Sequence, residues 1–224
     1  MKPRTVNTFI DCLDQERAWR VKEISYSATN VKKSSGSISE RALIRASIPL
    51  IYAHWEGFIK CSARTYLEFI EFQRHKYSDL LPCFAVLGFK SKLNTLSESK
   101  KSKLNIESFE YLINNLDDIA KLQIETAINT ESNLKSHVFE NIAISIGIET
   151  SKYEPSYNFI DESLLKRRNT IAHGDYLDVD STSFEEIKSR VVMLMDWFKT
   201  DLENAAVRRS YMRSTLPIST PVTE

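Results

Sequence analysis

Apolar side chains in this chain recur by threes and fours, and almost nowhere by twos. The clearest stripe is Ile44, Ile48, Ile51, Trp55, Phe58, Ser62, Tyr66 and Phe69. That spacing puts one face of a helix over residues 38–74 into a core. Pro49 lies inside the stripe, where it removes a backbone donor and crowds the preceding turn, so a kink or break is expected near 45–48. A second strong stripe, Phe184, Ile187, Val191, Leu194, Phe198, Leu202 and Ala205, predicts a helix of about six turns starting at Thr182. Phe9, Leu13, Arg17 and Arg20 predict a helix over 5–28, followed by the polar, basic loop VKKSSGS. Ser37 with Glu40, and Thr182 with Glu185, have capping-box spacing. Two shorter amphipathic pieces fall near 108–128 and 132–147, the second ending at Gly147. EPSY, with Pro155, punctuates the chain before the next helix.

Elsewhere the periodicity lapses. Within residues 75–107, FKSKLNTLSESKKSKL carries Lys90, Lys92, Lys100, Lys101 and Lys103 against one Glu98, and the stretch reads as an exposed loop or short helical insertion with solvated lysines. The closing run YMRSTLPISTPVTE reads as a frayed tail. The expected organisation is an all-α bundle over residues 1–207, interrupted by the basic insertion, with a flexible tail over 208–224.

Composition agrees with helices. Only 5 Gly and 6 Pro occur in 224 residues, too few for a loop-rich β sandwich. Thirty basic residues balance thirty acidic ones, so any nucleic-acid contact must come from a local patch. Cys12, Cys61 and Cys83 are odd in number and form no metal-binding spacing. The N-terminus turns acidic too early for a signal peptide, and no apolar run reaches the roughly 20 residues of a membrane span. These features predict a cytoplasmic chain with free thiols and no membrane partner. GxGxxG, GK[ST] and HExxH are absent, and no metal or cofactor is called for.

One helix end carries chemistry. In LLKRRNTIAHGDY, residues 164–176, three cations precede an Asn, a His and a stopping Gly. At about 100° per residue from Ile160, Leu164 and Ile171 share the core face, and Arg167 projects near it. Asn169 and His173 stack one turn apart on the opposite face, and Arg168 lies between the faces, within reach of the His. His173 is thus not a core histidine. It is either a solvated side chain favoured by the helix dipole or part of a functional pair. In the second case His173 exchanges a proton near neutral pH, Arg168 steadies phosphate charge, and Asn169 hydrogen-bonds the His or the phosphate. A route through an RNA 2′-hydroxyl requires no metal and excludes DNA.

Arg168-Asn169-Thr170-Ile171-Ala172-His173-Gly174 resembles the R-x4-H motif of HEPN domains, in the stricter form of the MAE-type nucleases. IYAHWEGFIK, residues 51–60, resembles the aromatic helix of the same subgroup. The resemblance implies a HEPN-like bundle that dimerises, with two Arg and two His in one composite cleft. The implied activity is metal-independent endoribonuclease cleavage leaving a 2′,3′-cyclic phosphate, with RNA as partner. A toxin or anti-phage role is implied, with a possible antitoxin or defence partner protein. The alternative is a non-catalytic module binding nucleotide, RNA or protein. Arg168, His173 and Asn169 are the candidate catalytic residues. Lys166, Arg167, Asp175, Tyr176 and Glu56 are the candidate RNA-binding or supporting set. Tyr176 stands third after His173, where relatives controlled by Tyr modification carry a Tyr second.

Overall fold

The computed structural model describes residues 3–128 and 133–213. Its helices are α1 (Val6–Lys33), α2 (Ile38–Phe72), α3 (Pro82–Gly88), α4 (Lys90–Glu98), α5 (Ser102–Asn114), α6 (Ile124–Ala127), α7 (Ser136–Ser145), α8 (Lys166–Ala172) and α9 (Ser181–Arg208). Short 3-10 turns occupy Tyr77–Asp79 and Ser151–Ser156, and a π-helical segment, Phe159–Leu165, runs directly into α8. Among the described residues, β structure is limited to the bridges Lys76–Ile119 and Leu80–Met212. The all-α bundle expected from periodicity is the fold.

Long helices α1, α2 and α9 form its frame. Every residue of the predicted α2 and α9 stripes is buried, Ser62 included. Phe139 of α7 closes the centre. Its ring lies 5.4 Å from Trp55, 4.9 Å from Tyr153 and 5.7 Å from Phe198. One side chain thus joins α2, α7, α9 and the turn before the π segment.

Several local expectations give way to packing. Pro49 does not break α2, which runs through it for 35 residues. Ile44, Ile48, Ile51 and Tyr52 on both sides of it are all buried. That burial outweighs the roughly 3 kcal/mol cost of an interior proline. Ser37 and Glu40 do not form a capping box: Ser37 Oγ donates to the Ser34 carbonyl at 2.6 Å, and Glu40 accepts the Gly36 N–H at 2.7 Å. The true box is Thr5 with Thr8 on α1. Asp180, not Thr182, caps α9, accepting from the Ser183 N–H at 2.8 Å. Residues 31–33 of the expected loop complete α1. The piece expected at 108–128 splits into α5 and α6, with a turn between them held by the Tyr77 N–H on the Asp118 carbonyl at 3.1 Å. Gly147 does end α7: at φ +76° it lets the Ile148 N–H reach the Ala143 carbonyl at 2.9 Å.

Residues 75–107 are the short helical alternative and not a loop. Phe84, Leu87 and Phe89 are buried, and a Cβ on Gly88 would come within 2.3 Å of the Tyr77 ring. Helices α4 and α5 pack on each other as a hairpin. The chain beyond 207 also departs from a frayed tail. Tyr211 is buried beside Phe69, and its carbonyl accepts the Leu81 N–H at 2.8 Å. The Arg213 N–H reaches the Asp79 carbonyl at 2.8 Å. The remainder of that tail, 214–224, lies outside the described residues.

Two outcomes follow from this core. Phe139→Ala should destabilise the fold by about 3–5 kcal/mol in urea unfolding, because it opens a cavity shared by three elements. His54 is buried on α2, which pushes its imidazole below the ordinary 6.5, while Glu23 pulls it the other way and Arg20 adds to the lowering. The folded chain therefore favours the neutral ring, and the unfolded chain takes up a proton first as pH falls. The stability His54 contributes is present above 6.5 and is lost as pH falls through its depressed folded value. Urea midpoints measured between about pH 5 and 7 should rise with pH, less steeply in His54→Gln.

Candidate functional site

The motif helix begins wide and finishes tight. Phe159–Leu165 are wound as a π-helix and Lys166–Ala172 as the ordinary helix α8. A π turn takes more residues per revolution than an α turn, so angles counted at a constant 100° drift across it. Leu164 and Leu165 are consequently both buried, while Ile171, expected in the core, is only half-buried. Arg167 is half-buried too, and His173 is exposed, as its face required. Gly174 stops the helix at φ +85°, with the Asp175 N–H on the Thr170 carbonyl at 3.1 Å. Only a residue at ease in left-handed backbone ends a helix this way, one position beyond His173.

Arg168 does not swing toward His173. Its Nη1 donates to Asn169 Oδ1 at 2.7 Å and to Asn133 Oδ1 at 3.0 Å, and its guanidinium stacks 4.7 Å over the Tyr52 ring. Tyr52 is itself fixed, since its hydroxyl accepts the Leu134 N–H at 2.7 Å. Burial pushes that hydroxyl up to about 12, and Glu56 is a further hydrogen-bond neighbour. Lys60 Nζ lies 2.7 Å from Glu56. Glu56 thus reaches the motif only by way of Tyr52, one step removed from Arg168.

Asn169 has two roles. Arginine only donates, so the Asn169 atom facing it is the carbonyl oxygen, and the amide nitrogen remains available. The same residue lines a cleft of about 470 Å³ together with His173, Lys135, Lys166 and Asp175. Asp161, which also lines the cleft, accepts from the Ser136 N–H at 2.8 Å and Oγ at 2.5 Å, capping α7. Lys166 is paired with Glu162 at 2.7 Å on the surface. Such an exposed pair is worth little and yields to a stronger anion at small cost.

Of the residues singled out by sequence, Lys166, Asn169, His173 and Asp175 meet in the cleft. Arg168 touches it through Asn169, Glu56 stands behind Tyr52, and Arg167 and Tyr176 do not line it. Tyr176 is exposed, with the Arg45 guanidinium 5.7 Å from its ring. Arg45 also holds the loop after the motif, donating to the Asp175 carbonyl at 3.1 Å and the Leu177 carbonyl at 3.2 Å. Arg45, Tyr52, Asn133 and Lys135 escape a sequence reading. Tyr52 alone had a signal, one helical turn before Glu56 in the aromatic block. Among the described residues, no three His, Cys, Asp or Glu side chains are placed to hold a metal. None of the described helices is long and apolar enough to cross a membrane.

A family profile, RiboL-PSP-HEPN, covers residues 15–204, a span that includes α2, the cleft and most of α9. The chain belongs to the RiboL-PSP-HEPN family. No match exists among curated proteins or solved structures. Membership in this HEPN family links the fold to nuclease or RNA-related roles. The profile names this family, whereas the sequence blocks resemble the MAE-type subgroup. In this HEPN chain the Arg and His of R-x4-H are held differently: one is saturated with neighbours and the other is open to solvent.

Tyr52→Phe keeps the ring under Arg168 but leaves the Leu134 N–H without its acceptor. It should cost about 1–3 kcal/mol in urea unfolding, more than a surface Tyr→Phe such as Tyr26→Phe.

Proposed function

We propose that this HEPN chain is a metal-independent endoribonuclease whose working site is assembled from two copies of the cleft. The observation that carries this reading is Asn169, bonded to Arg168 on one side and lining the cleft with the exposed His173 on the other. A single copy offers one histidine, while transesterification of RNA needs a base and an acid. In the proposed site a neutral His173 takes the proton of the 2′-hydroxyl. O2′ attacks phosphorus, the P–O5′ bond breaks, and the protonated His173 of the second copy gives its proton to the departing O5′. The products are a 2′,3′-cyclic phosphate and a 5′-hydroxyl. Asn169 Nδ2 and Lys166 contact the non-bridging oxygens, and Lys135 meets the flanking phosphate. Arg168 holds Asn169 in place and adds positive charge at the cleft's edge. Cleavage of cellular or invading RNA by such a site would suit a toxin or anti-phage effector, held in check by a partner protein.

A binding-only reading has one observation behind it: Arg168 is already occupied by Asn133, Asn169 and Tyr52. Cleavage assays separate the two. Wild-type protein should cut RNA in EDTA and leave cyclic phosphate ends, and a 2′-deoxy nucleotide at the scissile position should block the cut. His173→Ala should slow cleavage by about 10²–10⁴-fold without loss of helicity. If RNA is bound tightly and remains intact, or if His173→Ala cuts as fast as wild type, the nuclease reading fails.

A further inference from the structure

Away from the cleft, α5 exposes an unusual amount of apolar surface. Ile106, Phe109 and Ile113 are 58%, 56% and 54% exposed, and Leu116 in the following turn is 40% exposed. Their spacing of three, four and three residues confines them to an arc of about 80°. The packed side of α5 lies roughly 100° round the helix from this stripe. Ser108 is buried, Leu112 is half-buried, and the Tyr111 ring meets Phe89 edge-on at 6.2 Å with Lys92 Nζ 4.9 Å above it. The apolar stripe is therefore an open flank of α5 beside its packed side, and an isolated stripe of this kind marks a contact surface.

The charges around it indicate what covers it. Lys100, Lys101 and Lys103 cluster at the start of α5, and Asp117 and Asp118 at its end, all exposed. A helix basic at one end and acidic at the other complements a second copy of itself running the opposite way. The register follows from the stripe. If Ile106 of each copy packs on Ile113 of the other, residue numbers across the contact sum to about 219. Phe109 then lies beside the two-fold axis, Lys101 falls opposite Asp118, and Lys103 opposite Asp117. Within one copy Lys103 lies 4.0 Å from Glu107, while Asp117 lies 3.6 Å from Lys76 and accepts from Ser78 Oγ at 2.9 Å.

We propose that the apolar flank of α5 is a two-fold contact between two copies of this chain, with the helices antiparallel and their charged ends matched. Such a contact is isologous, because each residue's partner lies on the same helix of the other copy. It is separate from the α8 cleft and does not depend on the nuclease reading. One helix face is a small interface beside the roughly 800 Å² per partner of a standard one, so the association depends on concentration.

Sedimentation equilibrium of the full chain over a concentration series tests it. Phe109→Asp/Ile113→Asp should weaken self-association at least about tenfold relative to wild type, with helicity unchanged. Lys101→Glu/Lys103→Glu makes both ends acidic, and Asp117→Lys/Asp118→Lys makes both ends basic. Each charge variant alone should lose the same association, and a mixture of the two should regain it as a heterodimer. A dimer formed through α8 would be unchanged by any of these substitutions and would not produce recovery on mixing. Equal masses for wild type and the apolar variant at every concentration, or no recovery on mixing, would overturn the proposal.

Discussion

Burial along α2 is the constraint on which the rest of the structure depends. Its apolar stripe is packed against α1 and α9, and this keeps it helical through Pro49. The consequence reaches the motif. Arg45, Tyr52 and Glu56 are seven and four residues apart and share one line along α2 within about 40°. Arg45 grips the loop after the motif, Tyr52 seats Arg168, and Glu56 neighbours the Tyr52 hydroxyl. Pro49 lies between Arg45 and Tyr52. A bend there would turn one away from the loop or the other away from Arg168. The core of α2 thus sets the geometry of a site that it touches directly only at Tyr52, among the described residues.

The two charged members of R-x4-H are treated in opposite ways by their surroundings. Arg168 has an aromatic platform and two amide oxygens, arrangements that hold a planar cation in one orientation. His173 is exposed at a helix end, with Gly174 beyond it adding no side chain to crowd it. Asn169 mediates between them. Its oxygen is committed to Arg168, and the residue lines the cleft beside His173. In the proposed nuclease, a cation that orients a neighbour instead of meeting substrate alone would leave the chemistry to His173 and the positioning to Arg168 and Asn169.

The apolar flank of α5 lies outside this network, on the hairpin of α4 and α5. Two-fold contacts at two different places on one chain close into a ring-like tetramer or continue as an open array, depending on the angle between their axes. Clustering of sites by the hairpin would raise the local concentration of clefts without altering any one of them.

What sequence alone determined is what depends on periodicity and backbone geometry. The stripes of α2 and α9, the helical class, and the stops at Gly147 and Gly174 were all legible, because burial of one helix face and left-handed backbone leave local signatures. The exposed face of His173 was legible for the same reason. Tertiary structure decided the rest. Neighbour packing carried α2 across Pro49. The π turn before α8 shifted the phase of the motif, leaving Ile171 half-buried where a constant angle put it in the core. Capping passed to Thr5 and Asp180, since a cap is chosen by where the chain enters the helix and not by a four-letter pattern. Tyr211 was buried because Phe69 and the 79–81 backbone came to meet it. Arg168 was drawn to Tyr52 and Asn133, residues 116 and 35 positions away in the chain, and no local spacing encodes a distance that only folding closes.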